Sequence, residues 1–167
     1  LSAGIQTRDT AMTTNEKINF ERLSTSLQKC HIHLLRLHYA VSQTKDFFPL
    51  DRERYQILNN AQIGNIDQLV FRFTKLQDEL GTHTFRYVLL WLQEDIADKP
   101  FRDILNRLEQ LKIIDSSDTW LTLRELRNDL AHEYPMMLED TIDKLNHLFL
   151  QLPVLESILI TVERMVK

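Results

Sequence analysis

Residues 15–45 read NEKINFERLSTSLQKCHIHLLRLHYAVSQTK, and this stretch decides the fold. Phe20, Leu23, Leu27, Cys30, Leu34, Leu37 and Val41 follow one another in steps of three and four. At 3.6 residues per turn such steps stay on one face, so the stretch reads as one long amphipathic helix. Asn15 has the side chain of an N-cap, and Phe47, Phe48 and Pro49 close the helix.

The same spacing recurs along the chain. Ile66, Leu69, Phe73, Leu76 and Leu80 carry it through a second helical region of about Asp51 to Gln93. Gly81 interrupts that region, and Phe85, Val88, Leu89 and Leu92 resume it. Pro100, suited to a first turn, opens a third helix with Phe101, Ile104, Leu108 and Leu111. Ser116, Ser117 or Asp118 caps a fourth, which carries Trp120, Leu123, Leu126 and Leu130. The last begins near Pro135 and runs through Leu145, Leu148, Leu152, Leu155, Leu159, Val162 and Val166. Its register crosses Pro153, where the lost backbone hydrogen bond predicts a kink. The expectation is an all-α bundle of four to five helices packed near parallel.

Composition agrees. Three glycines and four prolines in 167 residues are too few for the turns of a β-protein. Residues 1–13 lack a pattern and read as a disordered or vector-derived leader, leaving 14–167 as one domain. One cysteine, Cys30, excludes an internal disulfide framework. No apolar run approaches the length needed to cross a bilayer and none resembles a signal peptide, so the expected location is the cytoplasm, with no membrane partner. A net charge of -4 means that any nucleic-acid contact rests on a local basic patch. Most of the apolar spacing reads as core. The first and last helices also keep a seven-residue repeat, which suits pairing between chains and a homodimer.

One cluster carries chemistry. With Trp120 at zero and 100° per residue, Leu123, Leu126 and Leu130 centre near 280° and Arg127 falls at about 340°, inside the apolar stripe. A guanidinium there needs a carboxylate such as Asp78, a route to the edge, or a cleft. Tyr134 follows on the same face. His132 points about 140° away from Arg127 on an ideal helix, but Pro135 disfavours helical geometry at Tyr134 and ends the helix near there.

Residues 127–134, RNDLAHEY, resemble the R-x4-6-H signature of the HEPN superfamily. More narrowly they are similar to the R-x4-H-x-Y form of the HEPN toxins encoded beside minimal nucleotidyltransferase antitoxins. The resemblance implies a HEPN-like bundle over about 15–166 and a metal-independent endoribonuclease, without cofactor, that acts on RNA as a homodimer. It implies His132 as general acid/base, suited by an ordinary pKa near 6.5, and Arg127 as phosphate clamp, suited by its planar and permanently charged fork. Tyr134 would orient substrate or hold a phosphate oxygen, and is the position to which the partner nucleotidyltransferase would transfer AMP. Asp67 and Asp78 are two candidates for the upstream acidic residue that several members use, and the sequence does not choose between them. Asn128 and Asp129 lie nearer in sequence. Arg72 and Lys75 are candidates for a local basic patch.

Two further readings fit the same residues: a non-catalytic nucleotide- or substrate-binding partner of such a nucleotidyltransferase, and a helical protein-interaction module. No metal site is expected, since His31, His33 and His38 share a helix without converging. There is no glycine-rich phosphate loop, and Cys30 occupies a core position rather than that of a nucleophile.

Overall fold

The computed structural model of the chain describes residues 12–132 and 138–167, His132 by its backbone alone. Helix α1, Thr14–Thr44, is the predicted long helix. Its cap is Thr13 rather than Asn15: the Thr13 hydroxyl accepts from the Glu16 amide while the Glu16 carboxylate accepts from the Thr13 amide. This reciprocal pair satisfies two amides that the first helical turn would leave unpaired. Leu23, Ser26, Cys30, Leu37, Ala40 and Thr44 form its buried face. Phe20 lies off that face and rests instead against Trp91, ring centroids 5.2 Å apart. Burial pushes the Cys30 thiol up to about 12, so it serves as a small apolar side chain.

A connection pinned by Asn146, whose amide bonds both the N–H and the C=O of Leu50, leads to the short α2, Arg52–Gln56. Helix α3 follows, Asn60–Glu79, capped by an Asn59–Gln62 reciprocal pair. Gly81 does not interrupt what comes next. Leu80–Thr84 form a π turn that leads directly into α4, Phe85–Trp91. A π turn inserts one residue into a helix without ending it, and the apolar spacing shifts phase by one residue across it.

Helix α5 is Phe101–Gln110, with Pro100 at its cap. Helix α6 is Ser117–His132, and of the three candidate caps it is Ser116 that accepts from the Thr119 amide. Glu109 on α5 accepts from the Ser117 amide and hydroxyl, both at 2.8 Å, and these bonds hold its carboxyl below the usual range. Helix α7, Leu138–Val166, continues through Pro153; the expected start near Pro135 lies outside the described residues.

Helix α1 packs along α3, the π turn and α4, while α6 packs on α3, α5 and α7. The described residues contain helices and no strand, as the all-α reading requires. The seven-residue stripes turn inward: Leu23, Cys30 and Leu37 meet the same core as Leu145, Leu152 and Leu159. These residues pack within the chain, while Leu27, Leu34 and Val41 of the first stripe are only partly buried. The expectation that no run approaches bilayer length needs correction. Leu138–Val166 is long and apolar enough by length and composition, its most apolar stretch of 18 residues reaching a mean hydropathy of 1.5. Its apolar residues exceed one stripe because it borders α1, α3, α4 and α6, and a helix with neighbours on several sides is apolar on several sides.

Candidate functional site

The site forms where α6 crosses the end of α3. Gly81 lets the two approach: a Cβ there would stand 3.1 Å from Cζ2 of Trp120, tighter than ordinary van der Waals contact. Trp120 packs edge-on to Phe85, centroids 4.5 Å apart. Only 1% of Trp120 is exposed, and its Nε1 meets no hydrogen-bond acceptor among the described residues. Seven residues, almost two full turns, further along α6, Arg127 follows on the same face.

Arg127 donates from Nη1 to Oδ1 of Asp78 at 2.6 Å. Its side chain is 19% exposed, and its buried Nε has no partner among the described residues. The pair lies at the edge of a cleft of about 250 Å³ lined by Gln77, Asp78, Gly81, Thr82, Arg86, Phe101, Trp120, Arg124 and Arg127. Arg124 stands over the Phe101 ring, 5.4 Å from its centroid. No carboxylate lies within ion-pair distance of Arg86 or Arg124 among the described residues. The phase shift in the π turn brings Arg86, on α4, to the same wall as Asp78, on α3.

Three guanidiniums therefore share the cleft with one carboxylate, in a chain whose net charge is negative. Such a lining attracts an anion, and planar forks match the paired oxygens of a phosphate. A divalent cation would find one anionic ligand and three repelling charges. Phe101 and Trp120 supply apolar wall beside the charge.

Of the two acidic candidates, Asp78 pairs with Arg127. Asp67 is exposed, about 16 Å away along the same helix at about 1.5 Å per residue. Asn128 is exposed, and Asp129 pairs with Lys144 of α7 at 3.4 Å, away from the cleft lining. Arg72 and Lys75 do not line the cleft; both stand over Phe71, at 4.9 and 5.6 Å from its ring centroid. His132 ends α6, and Tyr134 lies outside the described residues. His31 and His38 pair with Glu163 and Glu156 of α7.

Sequence reasoning missed Arg86, Arg124, Phe101 and Gln77. Arg124 was within reach, because it precedes Arg127 by three and so shares its side of the helix. Arg86 was not, since its direction depends on the π turn. No family model, curated protein or solved structure matches this chain.

Proposed function

We propose that this chain holds a backbone phosphate of RNA in the arginine cleft and cleaves the strand without a metal, in the manner of the HEPN toxins that residues 127–134 resemble. The observation that carries the proposal is the half-engaged Arg127. Asp78 takes one of its N–H groups and leaves Nε without a partner among the described residues, with the uncompensated Arg86 and Arg124 beside it. Asp78 orients the fork, and the remaining donors are those a phosphate would accept.

In this reading His132, five residues on at the end of the same helix, removes the proton of a ribose 2′-hydroxyl. The 2′-oxygen attacks phosphorus, the bond to the 5′-oxygen breaks, and that oxygen leaves with a proton from a general acid. A 2′,3′-cyclic phosphate and a free 5′-hydroxyl result. Imidazole suits proton transfer near neutral pH, and the arginines meet the charge that builds on the phosphoryl oxygens. The same resemblance supplies the remaining parts: a cytoplasmic homodimer, and a nucleotidyltransferase partner that silences the protein by adding AMP to Tyr134. The Asp78–Arg127 pair also suits the non-catalytic reading, in which a nucleotide phosphate is bound but not cleaved.

Incubation with RNA in excess chelator separates the two. Cleavage by the wild type, abolished in His132→Ala and in folded Arg127→Ala, is the expected result. Dependence on added magnesium or manganese, or full activity of His132→Ala, contradicts it.

A further inference from the structure

Helix α3 carries a second unneutralised basic cluster, gathered over an exposed aromatic ring about two turns before the arginine cleft. Arg72 and Lys75 both stand over the ring of Phe71. Removal from water first, and then the charge of Arg36 across on α1, depress the Arg72 guanidinium. His33 is held below its usual range by burial first and by Arg72 next, and its Nδ1 has no partner among the described residues. No carboxylate pairs with Arg36, Arg72 or Lys75 among the described residues.

Phe71 is 45% exposed, and nothing in the packing of a bundle core requires that ring at the surface. It precedes Asp78 by seven residues, which puts it within about 20° of the same face and about 10 Å along the axis. Two turns back along α3 from Arg127 and Asp78 the same face offers Phe71, and around the helix from that ring, toward α1, stands Arg72 beside Arg36. Charge alternates with an aromatic face along one line. One feature opposes the pattern: Asp67, exposed one turn before Phe71, so the line turns toward Arg72 and α1 rather than continuing along α3.

We propose that this line is the track of a single-stranded RNA that leaves the arginine cleft, stacks one base on Phe71, and sets a neighbouring phosphate against Arg72 and Arg36. The proposal rests on the RNA reading of the cleft and names its substrate class. A stacked base requires an unpaired strand, because a duplex keeps both faces of its bases covered; basic grooves with exposed aromatic rings are a general solution for single strands. The cations over Phe71 reinforce one another for this task, holding the ring in place and meeting the phosphates on either side of the base.

The test is binding of a fluorescently labelled 2′-O-methyl oligoribonucleotide, which resists cleavage through its 2′-oxygen, compared with a duplex of equal length. The single strand should bind more tightly than the duplex. Phe71→Leu should weaken single-strand binding about tenfold or more with an unchanged melting temperature, and Phe71→Trp should restore it, with the new indole quenched on binding. Equal binding by Phe71→Leu, or equal affinity for strand and duplex, overturns the track while leaving the cleft reading in place. Absence of binding by the wild type overturns both, and is told apart because the unmodified protein itself fails.

Discussion

Helix α3 has two flanks, and they are built differently. Toward α1, at the end of α3, it presents a seam whose hydroxyls are tied to one another, although His33 further along the same side keeps an unpaired Nδ1 among the described residues. The Ser26 hydroxyl donates to Glu79 at 2.7 Å and lies 2.8 Å from the Thr84 hydroxyl, which also meets the Cys30 sulfur at 3.5 Å. Toward α6 the seam is open: Asp78 and Arg127 meet, but Nε of Arg127, Nε1 of Trp120 and Oε1 of Gln77 stay unpaired among the described residues. Buried polar atoms without partners cost stability, each on the order of 1–3 kcal/mol. This seam carries three of them, beside two arginines that pair with no carboxylate among the described residues. The second flank is the one that carries the candidate site.

That contrast can be broken by paired truncations. Phe73, fully buried in the core, should cost about 3–5 kcal/mol on replacement by alanine. Arg127→Ala should cost about 1 kcal/mol or less, because the Asp78 it releases is already 39% exposed and can turn to water. Thermal or urea denaturation measures both. A loss at Arg127 as large as that at Phe73 would make the arginine a structural element of the core and remove the distinction between the flanks.

A smaller effect sharpens how α6 is held in position. Glu109 is depressed first by the Ser117 amide and then by the Ser117 hydroxyl. Its folded value lies below its unfolded one, so the stabilisation is present above the unfolded value of about 4.3 and fades as pH falls through the folded one. Glu109→Gln should therefore lower the melting temperature near neutrality and show a shallower decline on acidification. Parallel declines in the two proteins would mean that other carboxylates govern the acid limb.

The difference between the flanks also explains what was legible in the sequence. Wherever helices meet through apolar residues, spacing located them: α1 and α6 fall close to their expected positions, while the expected region of about Asp51 to Gln93 divides into α2, α3, the π turn and α4. Arg127 stood out because its residue type conflicts with its angular position in an apolar stripe. Its partner did not, since Asp67 and Asp78 differ by a near-integral number of turns and point the same way. Packing against α6, through Gly81 and Trp120, selects Asp78. The π turn was misread as an interruption because a break in phase looks the same whether the helix stops or gains one residue. Arg86 was lost with it. The heptad stripes of α1 and α7 were ambiguous for a simple reason: an apolar seam has the same spacing whether its partner is the same chain or another.

The central claim is that the open flank of α3 seats phosphate, and the salt dependence of RNA binding tests it most directly. Affinity for a labelled single-stranded oligonucleotide should fall linearly with salt on logarithmic axes, since each seated phosphate releases counterions. In Arg86→Ala and in Arg124→Ala that slope should become shallower by about 0.7 for each phosphate of the single strand that is no longer neutralised. Unchanged slope and affinity in both variants, with the wild type binding normally, would contradict the account, because RNA would then be held somewhere other than this cleft.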